Sequence, residues 1–125
     1  MGAQITELYG IYNADGGLVG EARYVIGHLL GLTSCSLCDI THSPIRRKPE
    51  WDAMVATLDT PLTVLHRNEL TPELSAWVSS ITLPAVVGKT NTGDFVLVLD
   101  AERLEQTSGS VSAFQTILVQ ALDAL

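Results

Sequence analysis

The stretch LPAVVGKTNTGDFVLVL, residues 83–99, contains two apolar runs of strand length on either side of a polar connection. The runs, residues 83–88 and 94–99, are rich in the β-branched residues that favour strands. The connection, Lys89-Thr90-Asn91-Thr92-Gly93, is short, polar and ends in glycine. Connections of this kind join antiparallel neighbours, so the stretch predicts a β-hairpin.

Helices are predicted on both sides of this hairpin. After it, apolar residues recur at helical spacing from about Ser110 to the end of the chain. Before it, Thr71-Pro72-Glu73 combines a threonine N-cap, a proline at the first helical position and an acidic residue in the first turn. The apolar positions that follow predict the inner face of that helix: Leu74, Trp77, Val78 and Ile81.

Strands and helices also alternate in the first half of the chain. Residues 5–12 and 61–66 read as strands, the second apolar enough to be buried on both faces, as parallel strands are. Helical spacing is found in residues 18–30, and again around Trp51, Met54, Val55 and Leu58. The whole order predicts a single α/β domain spanning residues 1–125, with a mixed sheet of about four strands and helices on both faces.

Composition and charge exclude several classes of function. Hydrophobic residues make up 46% of the chain and charged residues 17%, which is typical of a globular domain. With a net charge of −7 and Arg46-Arg47-Lys48 as the only basic run, we expect no nucleic-acid binding. The apolar runs are too short to span a membrane, so no membrane partner is expected. The first ten residues lack the pattern of a secretory signal, and we expect a cytoplasmic protein with reduced thiols.

The stretch SCSLCDITH, residues 34–42, holds both cysteines and is the first candidate site. Thiol–disulfide exchange needs an accessible thiol with a lowered pKa and a second thiol close enough to resolve a mixed disulfide. Cys35 and Cys38 have the spacing for this, with Cys35 as the attacking thiol. Asp39 works against strong activation, because a neighbouring negative charge raises the pKa of a thiol.

Two other roles remain open for the same stretch. Cys35, Cys38 and His42 form C-x2-C-x3-H, three ligands that suit a zinc ion. The fourth ligand would then be His28, Asp39 or His66. Alternatively, the cysteines are purely structural and pack as small apolar side chains beside Leu37 and Ile40.

Polar residues after the two parallel strands form the second candidate site. Asn13 and Asp15 follow the first strand, and His66 and Arg67 follow the second. Ligands of α/β sheets gather at the carboxyl ends of parallel strands. These four residues therefore predict a small-ligand site, with Pro84 expected at the same end of the sheet.

The element order, with Ile81-Thr82-Leu83-Pro84-Ala85-Val86-Val87 placing a proline directly before the hairpin strand, resembles the thioredoxin fold over nearly the whole chain. The resemblance implies a cis peptide bond before Pro84 and a place for Pro84 beside active-site cysteines. It also implies a protein partner or a small thiol as substrate.

The resemblance can be aligned in two registers. In the first, residues 12–19 are similar to the start of the DCC family of thiol-disulfide oxidoreductases, which carry Asp-Gly-Asp-Cys-x-x-Cys after a tyrosine. This chain keeps Asp15 of that motif, Asn13 and Ala14 stand in place of Asp-Gly, and Gly16 and Val19 stand in place of the two cysteines. In this register the family's usual redox site is therefore lost. Residues 32–60, with Cys35 and Cys38, are then an insertion.

In the second register, Cys35-Ser36-Leu37-Cys38 is itself the dithiol of the fold. Such a dithiol should follow a strand and enter the N-terminus of a helix, whose dipole lowers the thiol pKa. Here the residues before Cys35 belong largely to a predicted helix, and Thr41-His42-Ser43-Pro44 interrupts any helix after it. The first register is therefore favoured.

Overall fold

The structure of the protein is a computed structural model that describes residues 4–13, Leu37, Ile40 and residues 48–125. The strands and helices in these parts are β1 (Ile5–Ile11), α1 (Pro49–Thr57), β2 (Leu62–Leu65), a 3-10 turn (Arg67–Glu69), α2 (Pro72–Val78), β3 (Ala85–Thr90), β4 (Phe95–Leu99), α3 (Ala101–Glu105) and α4 (Val111–Asp123). The helix predicted for residues 18–30 lies outside the described residues. No helix in the described parts is both long enough and apolar enough to cross a membrane.

The four strands form one mixed sheet in the order β2-β1-β3-β4. β1 is parallel to β2 and antiparallel to β3, and β3 and β4 form the predicted antiparallel hairpin. Ile11, the last residue of β1, is opposite Leu65 of β2 and Ala85 of β3. The ends of β1 and β2 and the beginning of β3 therefore lie together, at what we call the Tyr12 end of the sheet.

Helices cover both faces of the sheet, as predicted. On one face, here the α2 face, Leu74 and Val78 of α2 pack against Ile11 and Val87. The opposite face, here the α4 face, is covered by α1, α3 and α4 through buried apolar side chains. These side chains are Trp51, Met54, Leu104, Phe114 and Leu118. The core side chains are divided between the two faces because successive side chains of a strand point to opposite faces of the sheet.

The Trp51–Phe114 contact is central to the α4 face. Their ring centroids are 5.0 Å apart and the ring planes are inclined by 52°. Phe114 has no solvent exposure and Trp51 is 2% exposed. This contact joins α1 to α4 and buries the largest side chains of both helices.

Leu37 and Ile40 are helical residues in the core of the α4 face, and both are fully buried. A β-carbon added to Gly10 would lie 3.3 Å from Cδ2 of Leu37 and 3.1 Å from Cγ1 of Val64. Contacts this short leave little room for a side chain at residue 10. The glycine in β1 thus permits the close approach of Leu37 to the sheet.

The helices α2 and α4 begin at the residues that the sequence predicted, and one further short helix, α3, was not predicted. Thr71 Oγ1 accepts a hydrogen bond from the Leu74 N–H at 3.3 Å, and Ser110 Oγ accepts one from the Ala113 N–H at 3.2 Å. α3 was not predicted, because five residues are too few to show helical periodicity. It begins at Asp100, whose Oδ1 accepts a hydrogen bond from the Arg103 N–H at 2.8 Å.

Candidate functional site at the Tyr12 end of the sheet

Tyr12 and His66 meet where β1 and β2 end. The Tyr12 N–H donates to the Leu65 carbonyl at 2.8 Å, which extends the pairing of the two strands by one residue. The Tyr12 and His66 ring centroids are 5.0 Å apart, with the planes inclined by 58°. Tyr12 is almost completely buried, whereas 24% of the His66 side chain is exposed. The imidazole therefore lies between the core and solvent.

Glu69 also contacts His66, through both the backbone and the ring. Its Oε1 accepts the His66 backbone N–H at 2.7 Å and lies 2.6 Å from His66 Nδ1. Because an ionised carboxylate only accepts hydrogen bonds, the proton of this contact is assigned to Nδ1. Nε2 is then the ring nitrogen left to exchange a proton or bind a ligand. The hydrogen bonds from the His66 backbone and ring lower the pKa of the Glu69 carboxyl.

Pro84 lies at the same end of the sheet. It is buried, and the Leu83–Pro84 peptide bond is cis, as the resemblance to the thioredoxin fold implied. Pro84 directly precedes Ala85, which is opposite Ile11. The chain therefore enters β3 beside the residues that follow β1.

The predicted ligand site is assembled in part. The structure brings Asn13, His66, Arg67 and Pro84 to the Tyr12 end, and Asn13 and Arg67 are exposed there. The ligand-binding role of these residues stays a prediction. The remaining predicted site residues, namely Asp15, Cys35, Cys38 and His42, lie outside the described residues.

Sequence reasoning missed Tyr12 and Glu69 as parts of this site. Tyr12 was assigned to the strand and matched to the tyrosine before the DCC motif, but it was not named as a site residue, although an aromatic residue at the end of a buried strand is well placed to contact the next strand. Glu69 follows His66 by three residues, which is the spacing at which an acidic side chain contacts the residue that begins a helical turn. This pattern could have identified the pair from the sequence. Within residues 4–13, Leu37, Ile40 and residues 48–125, no three metal-binding side chains converge.

The Glu69 contacts predict a dependence of stability on acid pH. A carboxyl whose pKa is lower in the folded state stabilises the fold above its ordinary pKa, and loses that effect as pH falls through the lowered value. We expect Glu69→Gln to reduce the free energy of unfolding by up to about 1 kcal/mol near neutral pH, since the exposed pair is screened by solvent. The difference should shrink below pH ~4.5. Urea unfolding between neutral and acid pH measures the difference in the free energy of unfolding between the two proteins, with Glu105→Gln as an exposed control. If that difference grew as the pH fell, the lowered pKa of Glu69 would be contradicted.

A second ionisable pair lies within β1. The Tyr9 hydroxyl donates a hydrogen bond to Oε2 of Glu7. This bond, with burial and the Glu7 charge, raises the pKa of Tyr9 to about 12. We expect Glu7→Gln to bring the Tyr9 pKa down toward the ordinary value of about 10, because the hydrogen bond to the carboxylate and the carboxylate's charge are both removed. Phenolate absorbance against pH, taken as the difference from a Tyr9→Phe variant, measures the midpoint. The control variant Glu50→Gln should not change the midpoint of the Tyr9 titration. An unchanged midpoint in Glu7→Gln would rule out the hydrogen bond between Tyr9 and Glu7.

Comparison of the chain with protein-family models, with curated proteins and with solved structures gives no match in any of the three.

Proposed function

We propose that the chain is a thioredoxin-like domain that exchanges thiols and disulfides through Cys35 and Cys38, beside the Tyr12 end of the sheet. The observation that supports this most is the position of Leu37, one of the two residues between the cysteines. Leu37 packs on Gly10, two residues before Tyr12 in β1. The order of the described elements, with a proline before the hairpin, agrees with the proposal.

The side of the sheet on which Leu37 lies is also relevant. Leu8, Tyr12, Leu37 and Ile40 belong to one core cluster on the α4 face. His66 contacts Tyr12, so its ring lies at the margin of that cluster. Both cysteines are close in sequence to side chains buried there. The proposal therefore assigns the thiols and His66 to the same face and the same end of the sheet.

His66 has the chemistry that such a thiol needs. A neutral imidazole accepts the proton of a thiol, and a protonated one stabilises the thiolate electrostatically. Glu69 orients the ring through Nδ1, which leaves Nε2 to act on the thiol. Glu69 is then a positioning residue, and His66 the proposed proton acceptor.

The reaction follows the general course of thiol–disulfide exchange. The Cys35 thiolate attacks one sulfur of a partner's disulfide, breaking that bond and releasing the other sulfur as a thiolate that takes up a proton. The Cys38 thiolate then attacks Cys35 Sγ in the mixed disulfide, which forms a Cys35–Cys38 disulfide and releases the second partner thiol. Two electrons pass from the chain to the partner, and the reverse reaction oxidises a dithiol.

The exposed polar residues are proposed to hold that partner. Asn13 and Arg67 lie at the Tyr12 end, and Asp15 follows Asn13 closely in the sequence. Together they offer an amide, a cation and a carboxylate for the backbone of a protein disulfide or for the charged groups of a small thiol. Pro84 lies at the same end of the sheet, directly before β3.

Alkylation kinetics test the proposal. We expect one thiol to react about tenfold faster than an unperturbed cysteine near pH 6, with the excess disappearing toward pH 9. Cys35→Ser should abolish the fast reaction, and Cys38→Ser should leave a mixed disulfide unresolved; Ser36→Ala is the matched control. Equal, slow rates for both thiols over this range would refute the proposal. So would a zinc ion bound near one per chain and lost in both cysteine variants, because that result indicates a metal-stabilised binding module.

A further inference from the structure

Among residues 4–13, Leu37, Ile40 and residues 48–125, the outer edge of β4 is unpaired. In the described part of the chain, β4 pairs with β3 on one side and with no strand on the other. All five of its residues, Phe95–Leu99, are apolar, and Leu97 is 38% exposed. Exposed apolar edges of this kind are sites at which further strands add.

The hydrogen-bonding pattern shows which backbone groups face outward. The Thr90 N–H donates to the Asp94 carbonyl at 2.8 Å, and Gly88 is opposite Val96. Because hydrogen-bonded and non-bonded pairs alternate in antiparallel strands, Asp94 and Val96 direct their backbone groups toward β3. Phe95 and Leu97 therefore direct their N–H and C=O groups toward the open edge.

Side chains on both faces would contact an added strand. Phe95 packs against the core of the α2 face, where its ring centroid lies 6.0 Å from that of Trp77. Val98 packs against the core of the α4 face. Both are only partly buried, so a neighbouring strand with apolar side chains would cover surface that is now exposed.

The charges beside β4 determine what can bind there. Asp94 and Asp100 flank the strand and are both exposed. The register of β4 is irregular at Val98, which has no partner between Leu97 and Leu99. If a second copy paired antiparallel about Leu97, each Asp94 would lie near Asp100 of the other copy. Like charges opposite one another destabilise strand pairing. The net charge of −7 adds to this repulsion.

We propose that the outer edge of β4 binds an extended peptide by strand addition, and that this peptide has an apolar centre with a Lys or Arg at each end. The backbone groups of Phe95 and Leu97 would supply the hydrogen bonds, and Asp94 and Asp100 would select the basic ends. The proposal is independent of the thiol chemistry at the Tyr12 end. The two aspartates disfavour a second copy of the chain as the ordinary occupant.

Two labelled peptides test the charge requirement. We use KVTITVK and EVTITVE, capped at both ends, and measure fluorescence anisotropy at low salt with the full chain. We expect KVTITVK to bind at least about threefold more tightly than EVTITVE, as two exposed ion pairs allow. Asp94→Asn with Asp100→Asn should remove this preference while keeping the Asp100 helix cap, since asparagine is an equally good N-cap. The same double variant should show more self-association by sedimentation.

Variants at residue 97 and hydrogen exchange test the backbone requirement. Leu97→Pro removes the outward N–H and leaves the bonds to β3, whereas Leu97→Thr removes the apolar side chain and keeps the N–H. We expect peptide binding to be lost in Leu97→Pro and retained, though weakened, in Leu97→Thr. In the unaltered chain, bound KVTITVK should slow exchange of the Phe95 and Leu97 amides but not that of Val96. Equal affinity for the two peptides, no slowing at Phe95 and Leu97, or a wild-type dimer paired through β4 would each overturn the proposal.

Discussion

Phe114→Ala is expected to lower the free energy of unfolding by about 3–5 kcal/mol, a loss that can unfold a marginally stable domain. Phe114 is fully buried on the α4 face, and its ring contacts Trp51 at a centroid distance of 5.0 Å. Removing the ring loses apolar burial and leaves a cavity between α1 and α4. Because Trp51 borders that cavity, its fluorescence should also change in the folded state.

The measurement is urea unfolding followed by Trp fluorescence and by far-ultraviolet circular dichroism. Val119→Ala is the matched control, since Val119 is on the same helix but is 44% exposed. Its expected effect is within about 0.5 kcal/mol. Similar losses in the two variants would mean that the Trp51–Phe114 contact does not stabilise the fold.

Leu37→Ala is expected to lower the free energy of unfolding by about 2–5 kcal/mol, the usual range for a fully buried leucine. Leu37 fills the space above Gly10, where a side chain is absent. Under the proposed function we also expect the distinctive pH dependence of alkylation to be weakened, because the segment that carries the two thiols loses its contact with the sheet. Unfolding free energies and alkylation rates are measured on the same preparation.

Two further variants separate the specific contact from a general loss of stability. Leu97→Ala removes an equally large side chain that is 38% exposed and should cost much less. Gly10→Ala should be less harmful when combined with Leu37→Ala, since a β-carbon at residue 10 lies 3.3 Å from Leu37 Cδ2. Strictly additive losses in that double variant would show that the two residues do not share the space.

Sequence patterns predicted the parts of the fold that depend on neighbouring residues. The 83–99 hairpin was evident from two β-branched runs around a polar, Gly-containing connection, and the structure places β3 and β4 within it. The start of α2 was evident from Thr71 and Pro72, because capping is decided within one turn of the chain. The four-stranded mixed sheet followed from the order of these elements.

The parts that were not predicted depend on contacts between distant residues or on very short elements. Nothing in the pattern around Gly10 shows that Leu37 packs over it, since the two are far apart in sequence. The His66–Glu69 pair was missed because the 3-10 turn that brings them together has only three residues. The positions at which the strands end correctly predicted that Asn13, His66, Arg67 and Pro84 lie at the Tyr12 end. The side-chain contacts made there were visible only in the structure.

The glycine at residue 10 has a consequence for related sequences. Gly10 and Leu37 occupy one common volume above the sheet, so the size of one residue limits the size of the other. In a homologous chain with alanine or a larger residue at position 10, we expect a smaller residue at position 37. Such paired change across an evolutionary lineage would show that selection preserves the attachment of the cysteine-bearing segment to the central strand.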